Sequence, residues 1–182
     1  MKSLKQCSMF VALVGLATAA GCSTSPTKSP DVAGTIRQSL DQSGLKDVNV
    51  SQDRDKGVVT LSGNVASDSD KAQAESIARS IASTQVIADQ IAVRPPGEES
   101  TAKKVDSALD SGIEKNLDAM LIQHKLDHDV KYDVKNGVVT LTGNVHSQTK
   151  RAYAEKLAAA VPNVKQVVNE LEVKGQKATS SD

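Results

Sequence analysis

A nine-residue segment occurs twice in this chain, and that duplication constrains its fold more than any other feature. Gly57-Val58-Val59-Thr60-Leu61-Ser62-Gly63-Asn64-Val65 returns as Gly137-Val138-Val139-Thr140-Leu141-Thr142-Gly143-Asn144-Val145, differing only by Thr142 for Ser62. The offset of 80 residues persists downstream, where Lys71-Ala72-Gln73-Ala74-Glu75 matches Arg151-Ala152-Tyr153-Ala154-Glu155. Ile87 to Val93 likewise matches Val167 to Val173. Self-similarity at a fixed period marks duplicated structural units, so the 182 residues divide into two small modules rather than one medium domain.

Each copy reads as α-β-β-α-β. Apolar residues at helical spacing (Val32, Ile36, Leu40, then Val105, Leu109, Ile113, Leu117, Leu121) predict a first helix over 31–43 and over 104–123. Short strands follow at Val48 to Val50 and Val130 to Tyr132. Asn136-Gly137 is a strong hairpin signal, because both residues tolerate positive φ. In the repeated segment Val59, Leu61, Gly63 and Val65 alternate onto one face, as do Val139, Leu141, Gly143 and Val145. Ser67 and Ser147 are placed to cap a second helix, whose buried stripe is Ala74, Ile77, Ala78 and Ile81, or Ala154, Leu157, Ala158 and Val161. A third strand ends each copy. Aromatics make up only 2% of the chain, so the cores must be built from Val, Leu, Ile and Ala. Gly63 and Gly143 are expected to be structural glycines that let the Ala-rich helix approach the sheet closely.

The start of the chain carries a targeting signal. Lys2 and Lys5 precede an apolar run from Met9 to Ala20, too short to span a bilayer as a mature helix. Two cleavage readings are open. Ala17-Thr18-Ala19 suits an ordinary signal peptidase, whereas Ala19-Ala20-Gly21-Cys22 resembles a lipobox in which Cys22 becomes the acylated N-terminus. Cys7 leaves with the signal, so Cys22 would be the one mature cysteine and could form no internal disulfide, which favours lipidation. The chain then divides into a signal peptide (1–21), a lipidated Cys22 with a flexible tether (22–30), a first module (31–94), a linker (95–103), a second module (104–174) and a small polar tail expected to be disordered (175–182). Without Lys2 and Lys5 the mature chain has a net charge of −2, which argues against nucleic-acid binding.

Gly-Val-Val-Thr-Leu-Ser/Thr-Gly-Asn-Val, followed by Ala-x-Ala-Glu in a helix and Val-x-Asn-x-Leu-x-Val at the end of the second copy, resembles the BON domain family over roughly residues 31–174. The first copy departs from that pattern with Ser83-Thr84-Gln85 in its turn and Asp89 in place of Asn. The resemblance implies an α+β fold of two tandem αββαβ modules, each a three-stranded sheet with two helices on one face. Envelope members of the family include a periplasmic, osmotically inducible type and an outer-membrane lipoprotein type associated with division and envelope stress. The lipobox makes the second type the nearer. The resemblance further implies a periplasmic location, no enzymatic activity, no cofactor, and binding of anionic phospholipid by the first helix of the second module.

On this chain that helix offers Lys104 and Lys115 with Leu117, Met120 and Leu121 as candidate lipid contacts. Asp106, Asp110, Glu114 and Asp118 dilute the basic charge, and a competing reading makes the apolar stripe core and the charges a solvated face. Lys150, Arg151, Lys156 and Lys165 could meet headgroup phosphates, but such scatter also serves solubility. His124 and His128 stand four apart near the helix end without a further ligand close in sequence, a poor basis for a metal site. There is no phosphate-cradling glycine loop, nucleophile elbow or His-Glu-x-x-His motif. Two functions compete. One is a non-catalytic envelope lipoprotein that binds phospholipid and supports outer-membrane integrity. The other is a periplasmic chaperone or adaptor for envelope protein clients.

Overall fold

The computed structural model describes residues 28–174. Cys22, the expected signal peptide and most of the expected tether, and the tail from 175 lie outside the described residues. The first module runs α1 (Ala33–Gln42), β1 (Val48–Asp53), β2 (Val58–Val65), α2 (Asp68–Ala82) and β3 (Val86–Val93). The second runs α3 (Glu99–Gln123), β4 (Val130–Lys135), β5 (Val138–Val145), α4 (Gln148–Ala159), β6 (Gln166–Asn169) and β7 (Glu172–Val173). Both copies therefore realise the α-β-β-α-β order and the α+β class. Helix α3 begins at Glu99, five residues before the point that the apolar spacing suggests, and takes up most of the expected linker.

Both sheets share one topology. The first two strands form an antiparallel hairpin, with Val50 opposite Leu61 and Tyr132 opposite Leu141. The third strand pairs parallel to the second after a helical crossover, with Val59 opposite Ile87 and Val139 opposite Val167. In the second module this last strand breaks after Asn169 and resumes as β7, still paired with β5. The second hairpin turns on Asn136 (φ 53°) and Gly137 (φ 81°), the paired positive φ of a type I′ turn. The second helices are capped as their sequences require: Ser67 Oγ accepts the Asp70 N–H, and Ser147 Oγ accepts the Lys150 N–H, both at 3.2 Å. Helix α1 has no cap of its own. Its first N–H groups are met from β1, where Gln52 Oε1 accepts from Val32 at 3.1 Å and Ala33 at 3.3 Å.

Each module has its own core. Ile36, Leu40, Val59, Leu61, Ala74 and Ala78 centre the first, and Ile113, Leu117, Leu121, Leu141, Ala154 and Ala158 the second. The structural glycines hold their place for a reason other than helix packing. Gly63 (φ 112°) and Gly143 (φ 122°) adopt a backbone that L side chains rarely enter, and a Cβ on either would collide with the carbonyl oxygen of Asp47 or Asp129. The close neighbour is the loop entering the first strand, not the Ala-rich helix.

A second apolar layer joins the modules. The repeated segment should bury one face, yet Val58 and Val138, on the opposite face, are buried too, clustering with Ala88 and Val168. Lys56 Nζ donates to Glu170 Oε2 at 2.7 Å, and that bond holds the ammonium above the usual lysine range. Asn136 Nδ2 donates to the Gln90 carbonyl at 2.8 Å. Gln166 seals the outer edge of β3, its Oε1 accepting the Asp89 N–H at 3.1 Å and its Nε2 donating to the Ile87 carbonyl at 2.6 Å. An edge strand that would otherwise offer free backbone groups is thus occupied by a side chain.

Candidate functional site

Helix α3 is 25 residues long, against 10 for its counterpart α1. Its core contacts begin only at Ile113, so the first half extends beyond its own module's core. Two carboxylates hold that half in place. Asp106 forms a tight ion pair with Arg94 at the end of the first module. Asp110 accepts the backbone N–H groups of Asn136 and Gly137, each at 2.9 Å, and so also fixes the β4–β5 turn. Glu114 and Asp118 flank Tyr132, which donates its hydroxyl to the Glu114 carbonyl at 3.3 Å. Burial, with those two carboxylates adding, raises the Tyr132 phenol above its ordinary pKa.

The opposite side of α3 is free of acid. At ~100° per residue, Thr101, Lys104, Val105, Ala108, Leu109, Gly112, Lys115, Asn116, Ala119, Ile122 and Gln123 fall within an arc of roughly 140°. All eleven are exposed. Among the described residues five large apolar side chains remain exposed, and three of them, Val105 (53%), Leu109 (39%) and Ile122 (56%), lie on this arc. Helix α1 has nothing comparable: Thr35, Gln38, Asp41 and Gln42 make up much of its exposed side.

The candidate lipid contacts therefore divide. Lys104 and Lys115 are exposed on the arc. Leu117 and Leu121 are not available to any surface, at 0% and 1% exposure in the second core, and Met120 is half-buried against it. The core stripe takes every fourth residue from Ile113, which consumes the two leucines and leaves Val105, Leu109 and Ile122 outside. The exposure of Val105 and Leu109 could not be read from the spacing, because they continue the same apolar periodicity beyond the end of the core that would bury them; Ile122 lies off the stripe, in a run of Met120, Leu121 and Ile122 that is wider than one stripe needs.

The other singled-out residues lie elsewhere. His124 Nδ1 pairs with the Tyr153 hydroxyl at 2.9 Å, while His128 lies 3.5 Å from Asp127, so the two histidines do not converge. Lys150 is 3.8 Å from Asp129, and Arg151 donates to the Asn169 carbonyl at 3.0 Å. The carbons of Lys165 cover Gly137. Asp89, the departure in the first copy, is buried with Lys71 Nζ at 3.6 Å and accepts the Ile91 N–H at 3.1 Å. Burial raises its carboxyl pKa, and Lys71 offsets part of that rise. Among the described residues no helix is long and apolar enough to cross a membrane.

Fold and site together define a tandem-module protein in which one copy carries an additional exposed helical face. Comparison with known proteins places it more closely. The profile of the BON domain family matches residues 29–95 and 106–175, and the chain belongs to that family. It is 34% identical over 135 residues to osmotically-inducible protein Y of Escherichia coli (strain K12), covering 74% of this chain and 67% of the relative. Two structures of CdsD, a structural protein of the type III secretion system of Chlamydia trachomatis, align with 14% and 15% identity. They cover 77% and 79% of this chain and 66% and 92% of theirs, both at a TM-score of 0.32.

Proposed function

We propose that this BON protein is a periplasmic, stress-related envelope protein that binds anionic phospholipid through the exposed arc of α3, without catalysis, and so supports outer-membrane integrity. Acylation of Cys22 would supply a separate anchor to the outer membrane. The observation that supports lipid binding is the composition of the arc: two lysines, three large apolar side chains and no acid on one exposed helical surface. An interfacial helix needs apolar residues that enter the headgroup boundary and cations that meet lipid phosphate. The stress-related, periplasmic part of the reading is supported by family membership and by the osmotically inducible relative.

The test is flotation of the chain from Ser23 onward, which lacks Cys22, with phosphatidylcholine vesicles with or without phosphatidylglycerol. Binding should require phosphatidylglycerol. Each lysine near an anionic surface contributes ~1 kcal/mol, so Lys104→Glu with Lys115→Glu should weaken binding roughly 30-fold or more. Val105→Ser with Leu109→Ser should weaken it at all salt concentrations. Failure of the unaltered chain to float with either vesicle would overturn the lipid reading and favour binding of protein clients.

A further inference from the structure

The surface between the modules obeys the repeat. Val58 is the counterpart of Val138, and Ala88 of Val168. Two of the polar contacts are counterparts as well: Lys56 meets Glu170 as Asn136 meets Gln90, with the turn of one module reaching the last strand of the other each time; the Gln166 and Arg94–Asp106 contacts have no counterpart and lie outside this shared patch. One patch, present in both modules, packs on itself across a pseudo-two-fold relation. This is the arrangement of an isologous dimer interface, here closed within one chain.

Three further observations bear on it. The cores are separate, so the modules can part without either unfolding. The apolar layer between them is only four residues wide, which makes opening far cheaper than melting a module. The connection from β3 to α3 is Arg94-Pro95-Pro96-Gly97-Glu98, a short segment containing two prolines, and a short connection between two units that pack on each other invites exchange between chains.

We propose that this interface is exchangeable, with a second copy of this chain as its other occupant: the first module of one chain packs on the second module of another, and reciprocally, in a closed dimer. Every contact between the modules re-forms in the dimer, so the balance is set by the conformation of the hinge and by concentration.

A charge-swapped pair tests this on the chain from Ser23 onward, which retains all the described residues. Lys56→Glu alone sets Glu against Glu170, and Glu170→Lys alone sets Lys against Lys56. Mixed, the two chains avoid both clashes only as an exchanged heterodimer, which has one native and one reversed pair. Light scattering after gel filtration should show at least tenfold more dimer in the mixture than in either chain alone. The chain carrying both changes should remain mainly monomeric. Independently of any variant, unaltered chain refolded from urea at millimolar concentration should yield dimer that persists on dilution. A mixture that stays monomeric would overturn the proposal, as would equal dimer in every single-chain sample, which would place the contact elsewhere. Melting curves of each variant establish that the modules are folded.

Discussion

Gly143→Ala separates two explanations for the glycine that both copies of the repeated segment carry. If the glycine merely admitted the Ala-rich helix, alanine, the smallest side chain, would be nearly neutral and only large residues would do harm. The structure requires a different outcome. At φ 122° the backbone is in a region almost confined to glycine, and forcing alanine into it costs ~1–3 kcal/mol. The added Cβ also meets the Asp129 carbonyl oxygen, which already accepts the Asn144 N–H at 3.2 Å. Moving that carbonyl breaks a hydrogen bond worth about 1 kcal/mol, and the displaced loop adds a packing cost of ~1 kcal/mol or more. The sum is about 3 kcal/mol or greater. For a module of this size each kcal/mol lowers the melting temperature by ~4–8 °C, so the second module's transition should fall by more than about 10 °C. Calorimetry or circular dichroism would follow it. Gly112→Ala is the control: it is exposed within α3, its Cβ meets nothing within 4 Å, and it should stabilise by ~0.5–1 kcal/mol. If Gly143→Ala melts within about 2 °C of the unaltered chain, the steric argument fails.

Two further substitutions probe the charged contacts. Asp89→Asn should remove a pH dependence: because burial raises the folded-state pKa above the unfolded ~3.9, the native state holds more protons than the unfolded state in that window, and stability falls as pH rises through it. Urea unfolding between pH 4 and 7 should show the variant lacking this decline. It should gain up to about 1 kcal/mol at pH 7, where Asn can donate to Glu75 as Asn169 donates to Glu155; a variant that loses ground as pH rises would contradict the sign. Asp110→Ala should destabilise the second module by ~2–3 kcal/mol, since it strips two turn N–H groups of their shared acceptor, and amide exchange at Asn136 and Gly137 should accelerate.

Much of this architecture was legible in the sequence, because identical segments must fold alike and the alternation at Val59, Leu61 and Val65 needs only a sheet and one covering helix. The serine caps and the Asn136-Gly137 turn were equally local, each specified by residues within four positions of one another. What the sequence withheld depends on partners distant along the chain. Gln52 caps a helix nineteen residues away, and Gln166 reaches 77 residues back to β3. The burial of Val58 and Val138 follows from the neighbouring module, which neither copy's own periodicity can report. The reason for Gly63 and Gly143 was hidden too, since a strand pattern gives the face of a residue but not the path of the loop beside it.

The same limit explains why the charge of α3 pointed away from its exposed surface. Residues 99–123 hold five acids and three lysines, a composition that reads as a poor partner for an anionic membrane. Charge acts from where it sits, however. Asp106 is paired with Arg94, Asp110 accepts two backbone N–H groups, Glu99 accepts the Gly97 N–H at the start of the helix, and Glu114 and Asp118 lie on the flank beside Tyr132. These contacts also do what the core cannot do for the overhanging half of the helix. A stretch of about fourteen residues with no core to dock on is marginal as an isolated helix, and side-chain anchors on one side are the means of keeping it ordered. Anchors on one side leave the other side unpaired. The acids therefore do not weaken the candidate surface; by fixing the helix from behind, they determine that Lys104, Val105, Leu109 and Lys115 face outward together.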